Sequence, residues 1–279
     1  MSHVAAILRL WQQGAMDVRI TIAAACVCLT ACTGPLVRPA VAPAAPRRDA
    51  LLILPGVGYG RAGEETFRSL AESMGRDGVD LYVPAYVTRS GLAASRDRLE
   101  RFIRAHRLDR YDRLHVFAFI AGAWVVNPLV ERGALPNLTA VIYDRSPLQE
   151  RAPRIADTQL HFLTWLRYGS TVFDLARTPY PPLAAPGVKV ALMVETAPTS
   201  FIRRNAAAAR RDGPLTFSCG SLHQRYDDCL YLPFNHGEVY ARFAEVWPEV
   251  RAFIRDGRFS DAANRQPPDG DPLAPRRGR

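Results

Sequence analysis

The stretch from Leu114 to Trp124 constrains the fold more than any other part of this sequence. An apolar, strand-like run leads directly into the small residues Ala121, Gly122 and Ala123, and a second apolar run follows. A buried parallel strand that turns sharply into a helix has this pattern, because the two elements approach closely at the turn. We therefore predict a strand–turn–helix unit at this place.

Size and charge set the broad class of the protein. The 279 residues are 48% hydrophobic and 23% charged, which is enough for one domain with a full core. The formal net charge is +9, but Lys189 is the only lysine and the arginines are scattered, often beside acids. This skew is more typical of a coding bias than of a binding surface, and no nucleic-acid module is present. We expect no nucleic-acid partner.

The N-terminus has the features of an export signal over residues 1–31. Arg19 precedes a short apolar run, Ile20 to Leu29, which is shorter than the roughly 20 residues that a bilayer span needs. The run ends in Leu29-Thr30-Ala31-Cys32, which resembles the bacterial lipobox. The resemblance implies that Cys32 is lipidated (with a palmitate-type acyl chain) and becomes the mature N-terminus. Thr33, where an Asp would retain the protein in the inner membrane, implies the outer membrane.

Two alternatives stay open for this segment. An ordinary signal peptide cleaved nearby would leave Cys32 incidental. Met16 could be the true start, because Met16-Asp17-Val18-Arg19 forms a normal short charged region before the apolar run.

The remaining chain divides by composition. Residues 32–49 are rich in Pro and Ala and are typical of a tether, residues 50–257 form the predicted domain, and residues 258–279 are predicted to be disordered. After export the only cysteines besides Cys32 are Cys219 and Cys229. In an oxidising compartment such a pair is expected to form a disulfide.

Strand-like and helix-like runs alternate through the domain. Predicted strands cover 51–54, 79–83, 114–119, 138–143 and 188–194, and predicted helices cover 64–77, a segment capped by Ser95, 124–129 and 238–256. This rhythm predicts an α/β fold with a parallel sheet. Residues 148–187 are too long for a simple connection, and we leave open whether they form a cap over the sheet or an ordinary crossover helix.

The order of these elements resembles the α/β-hydrolase superfamily without its first two strands, over roughly residues 50–256. The resemblance implies a three-layer fold with a mostly parallel sheet. In that family the strand–turn–helix unit is the nucleophile elbow, Gly-x-Ser-x-Gly. Here Ala118 and Gly122 occupy the two glycine positions, and Ile120 stands where the nucleophile belongs.

The resemblance also implies the other members of a catalytic site. Gly56, Val57 and Gly58 follow the first strand, where the family supplies an oxyanion-hole amide. Asp144 and Glu195 end two later strands, where the triad acid lies, and His236 precedes the last helix, where the triad base lies. No cofactor and no metal are expected.

Ile120 argues against serine chemistry for two reasons. Its side chain has no lone pair and no transferable proton, so it cannot attack a carbonyl. A β-branched residue is also a costly outlier at the positive φ of a strained elbow. We therefore expect a relaxed turn at Ile120.

Simpler interpretations of the other positions remain open. His236 and Asn235 could merely begin the last helix, Asp144 could pair with Arg145 on the surface, and Glu195 could cap a strand. Ser146, Ser200 and Ser90 could be displaced nucleophiles.

Three functions follow as hypotheses. The first is an envelope lipoprotein without ordinary serine-hydrolase activity, which binds an apolar or mixed small molecule, or an envelope protein, in the vestigial crevice. The second is an active esterase or lipase-like hydrolase with a displaced nucleophile. The third is a structural or assembly factor of the cell envelope. Fold-level analogy cannot decide among them.

Overall fold

A computed structural model of the chain describes residues 35–38, 49–144, 151–211, 213, 215 and 217–273. Seven strands in this part of the chain form one sheet. They are β1 (Leu36–Arg38), β2 (Asp49–Leu54), β3 (Val79–Val83), β4 (Arg113–Phe119), β5 (Leu138–Asp144), β6 (Lys189–Glu195) and β7 (Asp228–Leu232). Their spatial order is β1-β3-β2-β4-β5-β6-β7.

The sheet is parallel except at one edge. All neighbouring strands from β3 to β7 run in the same direction, and β1 pairs with β3 in the antiparallel direction. The predicted α/β class with a mostly parallel sheet is therefore confirmed. The carboxyl ends of six strands lie at one edge, where the family-like site residues are expected.

Helices cover both faces of the sheet. In chain order they are α1 (Arg61–Arg76), α2 (Leu92–Ala105), α3 (Ile120–Glu131), α4 (Ala152–Gln159), α5 (His161–Tyr168), α6 (Thr171–Arg177), α7 (Ser200–Arg204), α8 (Ala206–Arg210), α9 (His236–Ala241) and α10 (Phe243–Asp256). Alternate residues of each strand face opposite layers. Leu52 and Leu54 pack in the layer of α2 and α3, whereas Leu51 and Ile53 pack in the layer of α1 and α10. Burial on both faces explains why the strands are continuously apolar.

Two strands are absent from the sequence prediction. Strand β1 lies inside the predicted tether, and its Leu36 is buried beside Val83. Strand β7 is short and begins with a polar residue, so its sequence gives little strand signal. The sheet therefore begins before Ala50, the predicted first residue of the domain.

The predicted helix boundaries need two corrections. Helix α2 begins at Leu92 after Gly91, whose φ of 102° suits glycine. Ser95 is not its N-cap: the Ser95 hydroxyl lies one turn inside and donates to the Gly91 carbonyl at 2.8 Å. The predicted closing helix is divided at Arg242 into α9 and α10.

The prediction of disorder from residue 258 is wrong for Phe259 to Arg265. Phe259 is buried beside Phe253, and its amide donates to Asp228 at 2.8 Å. Arg265 donates two hydrogen bonds to the same carboxylate. Composition alone missed this segment because its order depends on a carboxylate at the start of β7.

The disulfide between Cys219 and Cys229 is present, with a Cα–Cα distance of 6.5 Å. It ties the segment before β7 to the strand itself. The predicted lipidation site, Cys32, lies outside the described residues, as does the predicted signal segment. No helix in the described ranges is long and apolar enough to span a membrane.

Candidate functional site

The turn from β4 into α3 is relaxed at the position where the family places its nucleophile. Phe119 has φ −68° and ψ 158°, and α3 begins at the next residue, Ile120. Among the described non-glycine residues, only Arg107 and Arg151 have positive φ. Ile120 therefore has none of the backbone strain that an exposed elbow nucleophile requires.

Gly122 keeps the close contact that this kind of turn needs. A Cβ atom on Gly122 would lie 2.9 Å from the Cβ of Leu54 and 3.1 Å from the Cβ of Ala118. The first turn of α3 can thus approach β2 and β4 only because residue 122 has no side chain. The turn has kept the packing of an elbow without its nucleophile.

Asp144, Glu195 and His236 meet at the carboxyl edge of the sheet, and we call them the acid–histidine corner. The imidazole Nδ1 lies 3.1 Å from Glu195 Oε1 and 3.3 Å from Asp144 Oδ2. The sequence offers these acids as alternatives, but the structure places both against the same nitrogen. Both carboxylates are fully buried, and the His236 side chain is 22% exposed.

The capping interpretation of Asn235 also holds. Its side-chain oxygen accepts from the amides of Gly237 and Glu238, and the Glu238 carboxylate accepts from the Asn235 amide. This capping box fixes His236 as the first residue of α9. The cap and the acid–histidine corner are therefore parts of one arrangement.

The corner holds a positive charge on the imidazole. Burial lowers the pKa of His236, but the charges and hydrogen bonds of Glu195 and Asp144 outweigh it and raise the pKa to about 10. Burial, together with the charge of Glu195, raises the pKa of Asp144. The two acids therefore favour the imidazolium form of His236, in which both ring nitrogens carry a proton.

In the predicted oxyanion loop, the Gly56 amide is not free to bind an oxyanion. The Gly56 amide donates to the Tyr240 hydroxyl at 2.8 Å. Burial raises the pKa of Tyr240 well above its usual value, so the hydroxyl keeps its proton. Tyr240 stacks on Phe119 with ring centroids 4.2 Å apart. The amide that would face an oxyanion is thus already bonded within the protein.

The other two loop residues shape the space around the site. Val57 lines the cavity described below. Gly58 has φ +90°, which favours glycine, and it faces the ring of Tyr168. At these contacts Val57 and Gly58 shape the space beside the site.

A cavity of about 500 Å³ lies between this edge of the sheet and helices α4–α6, which cover it as a cap. Its apolar walls include Val57, Ile120, Leu160, Val172, Leu175 and Phe201. His236 and Arg151 are among its few charged lining residues. Cavities of this size and lining accommodate small organic ligands.

Two residues of the site were missed by sequence reasoning. Tyr240 lies one helical turn after His236, so the i, i+4 spacing could have suggested it. Arg151 has φ 56°, and its guanidinium donates to the carbonyls of Ala209 and Gly213, each at 2.9 Å. No pattern in the sequence marks Arg151, because its partners come from distant segments.

Neither of the two described alternative nucleophiles, Ser90 and Ser200, is part of the site. Ser90 and Ser200 are exposed, and neither lines the cavity. Ser146 lies outside the described residues. Among the described side chains, Glu195 and Asp144 make polar contacts with the His236 imidazole.

The corner also has the spacing of a metal site, since one donor atom from each of its three residues lies within 4.8 Å of the others. A metal needs the lone pair of a deprotonated imidazole nitrogen. The two carboxylates favour a proton on Nδ1 of His236, so a metal ion would have to displace that proton to bind this nitrogen.

Comparison with known proteins gives similarity in structure alone. No protein-family model matches the chain, and no curated protein sequence matches it. Among solved structures, the lipase BlEst2 of Bacillus licheniformis is 11% identical, over 62% of this chain and 77% of that chain, with a TM-score of 0.46. The type II thioesterase BorB of the borrelidin cluster is 14% identical, over 79% of this chain and 96% of that chain, with a TM-score of 0.47. The type II thioesterase YbtT of the yersiniabactin pathway is 13% identical, over 82% of this chain and 100% of that chain, with a TM-score of 0.49.

The topology of the molecule itself identifies its fold. The sheet order, the tight turn after β4, acids at the ends of β5 and β6, and a histidine after β7 follow the order of the hydrolase superfamily. With helices on both faces of its mostly parallel sheet, this chain has an α/β-hydrolase-like three-layer fold.

Proposed function

We propose that this chain is a cell-envelope lipoprotein that binds an apolar or amphiphilic small molecule in the cavity under its cap and does not carry out serine-hydrolase chemistry. The observation that carries the proposal is Ile120. Its backbone is helical and unstrained, and its side chain lines the cavity at the nucleophile position. A residue in this state fills space and contributes an apolar surface to a ligand.

The charge of His236 supports the same conclusion independently. A general base must offer an unprotonated nitrogen near the working pH. The buried acids raise the pKa of His236 to about 10, which favours the protonated imidazole over the unprotonated form that a general base needs. It can instead donate a hydrogen bond from Nε2.

The cavity suggests the chemical class of the ligand. A Cβ atom on Gly56 would lie 3.8 Å from His236 Nε2, so this nitrogen faces the loop that lines the cavity. The walls beyond it are mainly apolar. A ligand with an acceptor or anionic head and an apolar body would satisfy both surfaces.

The proposed location rests on the resemblance of the N-terminus to a lipobox. Lipidated Cys32 would hold the protein on the envelope, and Thr33 favours the outer membrane facing the periplasm. Cys32→Ala is expected to release the protein from the membrane fraction, which cell fractionation measures.

A probe for nucleophiles tests the catalytic half of the proposal. We expect no labelling of the purified mature protein by a fluorophosphonate and no turnover of short p-nitrophenyl esters. Labelling that disappears in His236→Ala would overturn the non-catalytic proposal.

Native mass spectrometry tests the binding half. The purified chain is expected to carry or take up an amphiphile such as a long-chain carboxylate. Ile120→Trp, which fills the cavity, should lose this complex, whereas Tyr226→Trp, at an exposed position outside the cavity lining, should keep it.

The alternative of an active hydrolase is favoured by one observation. The acid–histidine contact expected of a triad is formed, with Nδ1 facing the acids and Nε2 facing the loop. Ser146 would be the candidate nucleophile. If the wild-type chain is labelled, loss of labelling in Ser146→Ala would support this alternative.

A further inference from the structure

The outer face of α5 exposes an apolar surface that neither core layer uses. We call Leu160, Phe162, Leu163, Trp165 and Leu166 the cap patch. Phe162 is 68% exposed and Trp165 is 51% exposed. Among the described residues, Tyr226 is the only other large apolar side chain that is exposed. Such a concentration within about two helical turns is typical of an interaction surface.

The same helix contributes to the cavity on its other side. Leu160, Thr164 and Tyr168 follow at four-residue spacing, lie on one face and line the cavity. Helix α5 is therefore the wall between the ligand space and the outside. Leu160 belongs to both surfaces, because it lines the cavity and is also exposed.

The first strand of the described chain begins at the same edge of the sheet. Strand β1 runs antiparallel, and its first residue, Leu36, pairs with Val83 at the carboxyl end of β3. Three residues lie between Cys32 and Leu36. The four steps from one residue to the next span at most about 3.6 Å each, so Cys32 lies within about 14 Å of Leu36. A lipid on Cys32 would hold the carboxyl edge, where the cap lies, close to the bilayer.

Charge favours the same partner. Residues 151–177, which contain the cap helices, have four Arg and two Asp, a net charge of +2, and α5 has no acidic residue. Arg89 is exposed beside α5 and donates to the carbonyls of Trp165 and Arg167. An apolar surface with basic residues at its border matches a bilayer with anionic headgroups.

We propose that the cap patch docks on the surface of an anionic phospholipid bilayer, the one that holds Cys32, so that the α5 wall of the cavity lies against the lipid. This inference rests on the lipid anchor of the proposed function. It adds the orientation of the domain and the source of an amphiphilic ligand, which would enter from the membrane.

Trp165 is a natural reporter for this contact. Of the described tryptophans, Trp124 and Trp247 are 3% and 6% exposed. The mature full-length protein would be purified from membranes and reconstituted into phosphatidylethanolamine–phosphatidylglycerol vesicles with and without brominated acyl chains. We expect the bromines to quench most of the Trp165 emission, and Trp165→Phe to lose this response.

A matched pair of variants tests the patch. The double change Phe162→Ser and Leu163→Ser should abolish quenching of Trp165, while Tyr226→Ser, at an exposed position outside the patch, should leave it unchanged. Both variants change exposed side chains, and unchanged thermal unfolding would confirm that they fold.

The anchor is measured separately from the patch. The mass of the N-terminal peptide shows whether Cys32 carries lipid, and vesicle flotation shows whether the chain is attached. A lipidated, floating protein whose Trp165 is not quenched would overturn the docking proposal and leave the anchor intact.

An unlipidated Cys32 would overturn the anchor instead. Vesicles added to that protein would then still decide the patch, since quenching supports bilayer docking and its absence overturns it. Dimers in sedimentation that disappear in the Phe162/Leu163 double variant, without quenching, would assign the patch to a second copy and also overturn the proposal.

Discussion

The elbow and the acid–histidine corner border the same cavity but differ in how far each departs from a hydrolase. At the elbow, Ile120 replaces a nucleophile with an apolar side chain, and the backbone is unstrained. At the corner, the ionisable groups are all present, but two buried acids hold one imidazole in its charged form. The first region has an apolar side chain at the position of a hydrolase nucleophile, whereas the second has the ionisable groups of a hydrolase with the protonated histidine favoured.

The two regions also differ in energetic cost. At the turn, Ile120 buries apolar surface without backbone strain, so the turn has little free-energy cost. Burying two carboxylates and an imidazolium carries a large desolvation penalty, which their mutual attraction only partly offsets. An apolar replacement would fill the same space at lower cost.

The largest expected effect is on stability at the corner. His236→Ala should lower the free energy of unfolding by about 3–5 kcal/mol, because it leaves two buried carboxylates without their cation. Chemical denaturation at neutral pH measures this. His161→Ala is the matched control, since that imidazole lies 3.0 Å from Asp157 but is 58% exposed. An exposed pair contributes about 0–1 kcal/mol. Equal losses in the two variants would mean that the corner is not charged.

The pH dependence of stability should also separate the two regions. The pKa of His236 is raised from 6.5 to about 10 on folding, so the folded chain holds this proton more tightly. The resulting stabilisation is complete below the unfolded pKa and is lost as pH rises towards the folded one. Burial raises the pKa of Asp144 from 3.8 to about 7, so its contribution has the same sign but is lost mainly below pH 7.

Unfolding between pH 7 and about 9.5, below the unfolded pKa of tyrosine, therefore measures the corner. Wild type and Ile120→Ser should both lose stability as pH rises. The double change Asp144→Asn and Glu195→Gln keeps the shapes and removes the charges, so its profile should be nearly flat. A flat wild-type profile would contradict the charged corner.

A smaller effect is expected where the elbow packs against the sheet. Gly122→Ala should lower the free energy of unfolding by about 1–3 kcal/mol, because its Cβ would meet Leu54 at 2.9 Å. Gly75→Ala is the control within α1, where a Cβ would meet nothing within 4 Å. That change should stabilise the chain by about 0.5–1 kcal/mol. The same sign in both variants would show that α3 can move away from β2.

These contrasts also show what the sequence could predict. Buried strands such as Leu114–Phe119 are continuous apolar runs, and the acids and histidine follow strands or precede a helix in chain order, so each position could be assigned locally. Strand β1 could not, because three residues in a Pro- and Ala-rich segment become a strand only through pairing with β3.

The chemistry of the corner could not be predicted for a similar reason. Chain order offers Asp144 and Glu195 as alternatives, and only their shared distance to His236 shows that both act on one nitrogen. Tyr240 binds the Gly56 amide across a separation of 184 residues. Such contacts depend on packing between distant segments, and no periodicity encodes them.

The smallest expected effect is on activity at the elbow. Ile120→Ser restores a hydroxyl, yet we expect no ester turnover and no fluorophosphonate labelling at pH 7. The turn does not present the side chain as a strained elbow does, and the protonated imidazole cannot accept its proton. Combining Ile120→Ser with Glu195→Gln removes one of the charges that protonate His236. Activity gained only in the combined variant would identify the corner as the barrier, and no gain in either would identify the relaxed turn. Turnover by Ile120→Ser alone would contradict both descriptions, because it would require an unprotonated imidazole beside a correctly placed hydroxyl.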